Sequence, residues 1–187
     1  MKKSIALLSI LTLVSATAFA ADSGVLGKRY ANAAYSSVDT DGYNPSSFEF
    51  GANLPIQNKF DVKANLAILS GDNTTDFAIK GNAVYYFPQD AMYTPFVSGD
   101  LGINLPESGD SELSIGATAG VQLEVNDKQV AKLAVSITSV DSDTDTSFSG
   151  SYGYWVTEKA LVELNLATTS GDSADSTSYG VSGKFLF

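Results

Sequence analysis

Apolar and polar residues alternate one by one along most of this chain. In "FDVKANLAI", Phe60, Val62, Ala64, Leu66 and Ile68 fall on one face, and Asp61, Lys63, Asn65 and Ala67 on the other. In "DFAIKGNAVYYF", Phe77, Ile79, Gly81, Ala83, Tyr85 and Phe87 oppose Asp76, Ala78, Lys80, Asn82, Val84 and Tyr86. Leu113 to Val125, Ala131 to Ile137 and Ala160 to Leu166 repeat the pattern. Period two is the signature of a strand with two unlike faces. No extended i, i+3, i+4 apolar pattern appears after residue 20, so no helix is expected there. The pattern predicts ten strands, at about 28–37, 46–56, 60–70, 75–87, 93–105, 111–125, 129–140, 147–157, 159–169 and 177–187. The first reads in either register, because Tyr30 and Tyr35 fall on opposite faces.

The connections fall into two kinds. Gln57-Asn58-Lys59, Pro88 to Met92, Asn126-Asp127-Lys128 and Thr157-Glu158 read as tight turns. "VDTDGYNPS", "SGDNTT", "PESGDSE", "VDSDTDTS" and "SGDSADSTS" read as longer, acidic loops. The two kinds alternate. Antiparallel neighbours therefore collect the tight turns and both termini at one end and the acidic loops at the other.

The front of the chain follows different rules. Lys2 and Lys3, the short apolar run from Ile5 to Val14 and Ala18-Phe19-Ala20 have the layout of a secretory signal peptide, cleaved after residue 20. The expected mature domain is a single unit, 21–187, free of disulfides because the chain has no cysteine.

Two all-β architectures accommodate ten such strands: a secreted soluble sandwich, or an antiparallel barrel closed within a membrane. Three features favour the barrel. The polar face is small and mixed, while the apolar face is nearly free of charge, which suits a barrel with lipid outside and polar groups inside. The strands are long enough for a tilted membrane crossing. Aromatics sit towards the ends of the apolar face, at Tyr85, Phe87, Tyr93, Tyr152, Tyr154, Tyr179, Phe185 and Phe187, where interfacial girdles form. The expected fold is thus a closed antiparallel transmembrane β-barrel of ten strands, with eight as the alternative.

The last strand, "SYGVSGKFLF", alternates aromatics and ends on Phe187. It resembles the C-terminal signature of bacterial outer-membrane barrels. That resemblance implies recognition of Phe185 and Phe187 by the barrel-assembly machinery, and outer-membrane lipid and lipopolysaccharide as surroundings. "YTPFVSGDLGINL" and "GATAGVQLEVNDK" are similar to consecutive strands of the small OmpA/OmpX/opacity-like barrels. That family typically has eight strands, against the ten counted here.

Charge and composition narrow the chemistry. The chain holds 11 basic and 21 acidic residues, a balance that disfavours nucleic acid as a partner. There is no histidine. A Ser-His-Asp arrangement and His/Cys metal ligation are therefore excluded. The enzymes of the outer-membrane barrel class use histidine in or near the active site, so the resemblance implies a protein that is not an enzyme and needs no cofactor. "DSDTDT" (Asp141 to Thr146) starts like a calcium loop, but Thr146 stands where glycine is needed and Tyr152 where glutamate is needed. The acidic loops then form a solvated rim that favours cations and binds divalent ions loosely.

The candidate functional residues are the charges on the polar face: Glu49, Asp61, Lys63, Asp76, Lys80, Asp100, Glu124, Lys132, Glu163 and Lys184. Inside a barrel they either line a narrow, cation-favouring pore or pair and plug the interior, which leaves a closed structural or surface-interaction barrel.

Overall fold

In the computed structural model of the chain, the period-two segments form ten antiparallel strands. The structure describes residues 26–40, 44–71, 74–87, 92–172 and 175–187. The expected signal peptide lies outside the described residues, as do loop residues Asp41 and Asp72 and most of the turn after Phe87. The strands are β1 (Tyr30–Thr40), β2 (Ser46–Gln57), β3 (Phe60–Gly71), β4 (Thr74–Tyr86), β5 (Tyr93–Leu105), β6 (Glu112–Asn126), β7 (Gln129–Val140), β8 (Asp143–Trp155), β9 (Ala160–Gly171) and β10 (Ser176–Leu186). Each pairs with its chain neighbours, and β10 pairs with β1 from Tyr30↔Leu186 to Thr40↔Ser176, which closes the barrel. Closure leaves no unpaired edge, as a sheet surrounded by hydrocarbon requires.

The stagger sets the size of the interior. Partners traced from Thr40 through Ser176, Thr169, Ser147, Ser136, Thr118, Ser98, Val84 and Asp61 reach Pro55, which faces β1 roughly 12 residues below the start. With ten strands, that stagger corresponds to a tilt of about 42° and a backbone diameter of about 20 Å.

Burial is inverted relative to a protein in water. Along β9, Leu161, Glu163, Asn165, Ala167 and Thr169 are buried, while Val162, Leu164 and Leu166 stand exposed. The same holds along β3, where Asp61, Lys63 and Asn65 are buried and Val62 and Leu66 are exposed. Large apolar side chains thus coat the outside, and polar ones fill the inside. The aromatic ends of the coat are Tyr85, Phe87, Tyr93, Tyr154, Phe185 and Phe187 at the tight-turn end, with Phe48, Phe77 and Tyr179 towards the other.

Two expectations change. The acidic connections are shorter than the composition implies. Val140 pairs with Asp143, so Asp141-Ser142 alone turn the chain, with Asp141 at φ 53. Gly71 likewise pairs with Thr74. Aspartate disfavours strands, but these residues sit at the outer strand ends, where the side chains meet water and the ladder's hydrogen bonds still form. The first strand also starts and ends later than the pattern predicts. Its register is settled by its neighbours: Tyr30 points inward and is fully buried, and Tyr35 points outward against Phe48, ring centroids 5.0 Å apart.

Candidate functional site: the barrel lumen

Inward positions of adjacent strands line up into oblique ladders across the lumen. One consists of hydroxyls: Thr40, Ser176, Thr169, Ser147, Ser136, Thr118 and Ser98 are successive cross-strand partners from β1 backwards to β5. Two of them bond directly, Ser147 Oγ and Thr169 Oγ1 at 2.6 Å. A second ladder carries amides and charges: Asn53, Lys63, Asn82 and Asp100, then Gly116, Thr138 and Asp145. The sequence pattern puts these hydroxyls and amides on the polar face but singles out only the charges, because serine and asparagine are equally common in loops.

Most of the sequence-selected charges converge here. Glu49, Asp61, Lys63, Asp76, Lys80, Asp100, Lys132, Glu163 and Lys184 are all buried inside the barrel. Lys184 Nζ and Glu163 form an ion pair at 2.5 Å, and Ser182 Oγ donates to the same carboxylate at 3.3 Å. Lys80 lies within electrostatic reach of Asp100 and Glu49. Lys132 Nζ stands 4.5 Å from the centre of the Phe96 ring, a cation–π contact. Asp61 accepts from Asn53 Nδ2 at 3.1 Å and from the Gly27 amide at 2.9 Å. Asp76 sits near the outer mouth and accepts from the Glu107 amide at 2.7 Å.

Glu124 departs from this set. It has inward parity, but it lies at the exposed tight-turn rim, next to a register shift between Glu124 and Asn126. Parity records which face a residue takes, not its height along the axis. Gln122 occupies the last buried inward position of β6 and donates to Glu124 at 3.3 Å.

Glycines make room for these side chains. A Cβ on Gly102 would stand 2.9 Å from Lys80 Cγ, one on Gly116 2.7 Å from the Asp100 carboxylate, and one on Gly153 2.8 Å from Glu163 Cγ. Lys80, Asp100 and Glu163 thus each lie over a glycine of the adjoining strand.

The lumen is polar in its middle and apolar at the tight-turn end. There Tyr30 and Leu161 pack with Trp155 and Leu186. Val84, Phe96 and Ala134 form a second cluster with Tyr86 and Leu26. Above this constriction, several buried polar atoms have no protein partner: both side-chain atoms of Asn65 and Asn104, Ser114 Oγ, Thr118 Oγ1 and Asp100 Oδ2. Unpaired buried polar groups are costly unless water reaches them.

The two ends differ in charge. The tight-turn end carries both signs, with Lys28, Arg29, Lys59, Lys128 and Lys159 beside Glu124, Asp127 and Glu158. The outer mouth carries Asp39, Glu107, Asp110, Glu112, Asp141, Asp143, Asp172 and Asp175, with no lysine or arginine among its described residues.

The solved structures with this architecture include an outer membrane channel from Pseudomonas putida F1. The likeness covers 87% of this chain and 96% of that one, at TM-score 0.59 and 9% identity. The translocator domain of the autotransporter NalP from Neisseria meningitidis matches over 99% of this chain and 97% of that one, at TM-score 0.58 and 9% identity. The fold is that of outer-membrane β-barrels. No protein-family model matches the chain, and no curated protein does. The closed β-barrel fold is thus shared with bacterial outer-membrane proteins at 9% identity.

Proposed function

We propose that this chain is an outer-membrane barrel with a narrow, water-lined lumen that passes small cations and performs no catalysis. The observation that carries the reading is the set of partnerless polar atoms at Asn65, Asn104, Ser114, Thr118 and Asp100, spread along the lumen wall. Water is their natural partner, and a file of such waters along the polar ladders is a conduit. The Pseudomonas channel of the same fold supports a channel in general terms. We place the end with the acidic connections outward and the end with both chain termini at the periplasm; connection length does not distinguish the ends, so the placement rests on the termini and on charge. Phe185 and Phe187, exposed on the lipid side beside the β1–β10 seam, are the residues we assign to recognition by the assembly machinery. Lipid and lipopolysaccharide are the surroundings this assigns to the coat and the outer rim, where acidic side chains attract divalent cations loosely.

Cation preference follows from the acidic mouth. Asp76 and Glu112 lie on inward positions at the outer ends of β4 and β6. A negative mouth concentrates cations and repels anions at moderate ionic strength. Single-channel recording of the refolded mature chain in a planar bilayer is expected to show small, steady, cation-selective steps. Combining Asp76→Asn with Glu112→Gln is expected to lower the cation-to-anion permeability ratio about twofold. Anion-selective steps would contradict the assignment. The apolar constriction around Phe96 and Trp155 favours a second reading, a closed structural barrel, and a folded but silent barrel would support it.

A further inference from the structure

The residues just before β1 do not run along the outside of the barrel. Leu26 packs on the lumen cluster of Val84, Phe96 and Ala134, contributed by β4, β5 and β7. The Gly27 amide donates to Asp61 Oδ2 of β3 at 2.9 Å. The Lys28 carbonyl accepts from Asn53 Nδ2 of β2 at 2.8 Å. Lys28 Nζ stands 5.1 Å from the centre of the Trp155 ring, at the end of β8. Leu26, Gly27 and Lys28 therefore reach β2 and β3 on one side of the mouth and, through the Val84–Phe96–Ala134 cluster and Trp155, β7 and β8 on the other. In a ten-stranded barrel those walls face each other, so the segment crosses the lumen.

We propose that Leu26–Arg29 is a strap that narrows the tight-turn end of the lumen, turning at Gly27 and latched by Asp61 and Asn53. The inference rests on the lumen being the conduit described above. Three observations support it independently of one another. The strap precedes β1, so its release leaves all ten strand pairings intact. Its base is held by the Phe187 amide, which donates to the Arg29 carbonyl at 3.3 Å, so a released strap stays attached at the seam. Its closed form requires glycine at position 27: the backbone there has φ 75, and a Cβ would stand 2.6 Å from the Tyr86 hydroxyl. The latch is also well placed. Asp61 and Asn53 are fully buried and bonded to each other, so both strap hydrogen bonds are made to side chains already fixed in place.

The chain has no cysteine, so a single introduced thiol reports on the strap without interference. Ala134→Cys places a thiol in the cluster beneath Leu26, and Thr138→Cys places one on the same inward face of β7, four residues nearer the outer mouth. Both are to be reacted with a small water-soluble thiol reagent in the folded barrel, with and without Gly27→Ala. Heat-dependent gel mobility confirms folding of each variant. Gly27→Ala is expected to raise the reaction rate at position 134 at least about fivefold, since a non-glycine residue in this conformation is strained, and to leave position 138 unchanged. An unchanged rate at 134, or an equal rise at both positions, would overturn the strap. Planar-bilayer recording of Gly27→Ala separates this from the channel reading. Larger steps than the parent support both. Faster labelling at 134 with a silent bilayer keeps the strap and removes the conduit. Parent-sized steps with unchanged labelling keep the conduit and remove the strap.

Discussion

Glu163→Leu is expected to destabilise the barrel by about 3 kcal/mol. Its partner Lys184 is enclosed at the tight-turn end of the lumen, with both side chains at most 1% exposed. Removing the carboxylate leaves the ammonium beside Tyr30, 5.7 Å from that ring, and close to the apolar contacts of Leu161. The loss is dominated by a buried charge left without its counter-ion, not by the worth of the pair itself. The double variant Glu163→Leu with Lys184→Met is therefore expected to recover to within about 1 kcal/mol of the parent, because two apolar groups of similar size need no compensation. Urea unfolding from lipid vesicles measures both. Trp155 is the only tryptophan and packs on the same cluster, so its fluorescence reports the transition. A single-variant loss below about 1 kcal/mol would show that bulk-like water already screens this pair.

Leu164→Lys is expected to destabilise the barrel by about 2–4 kcal/mol, and Ser170→Lys on the same face by at most about 1 kcal/mol. Leu164 lies midway along β9 and is 64% exposed on the apolar coat. Ser170 is six residues nearer the outer mouth, above the last apolar residue of the outward face of that strand, Leu166. Hydrocarbon penalises a charge at mid-depth and tolerates it near the interface. In a water-soluble sheet both positions would be ordinary exposed sites with changes near zero. The difference between the two variants, measured by unfolding in vesicles, therefore reads the surroundings directly.

Much of this architecture is legible in the sequence because a strand's side chains alternate strictly. Asp61, Lys63 and Asn65 interleaved with Val62, Ala64 and Leu66 allow one arrangement of inside and outside. The strand number follows from the turns. Where the contrast between neighbours fades, so does the reading. Ala31, Ala33 and Ala34 give β1 no polarity of its own, and its register comes from Phe48 and the β10 pairing instead. Asp143 and Asp145 look like loop residues by propensity, yet they extend β8 because the ladder with β7 and β9 holds them. Glu124 has the right parity but sits on the rim, because height along the barrel depends on a register shift that no local pattern records. The segment from Leu26 to Arg29 has no periodicity at all. Its position depends on contacts with residues from β2 to β8, all distant in sequence.

The central claim is that the inside of this barrel is polar and wet while the outside is apolar and in lipid. Single cysteines at Thr118 and Ser136, which face the lumen, and at Leu164 and Leu66, which face outward, test it in the folded barrel in a bilayer. The account predicts that a water-soluble thiol reagent modifies positions 118 and 136 and spares 164 and 66, with a lipid-soluble reagent giving the reverse. Modification of 164 and 66 by the water-soluble reagent, with 118 and 136 protected, would contradict it.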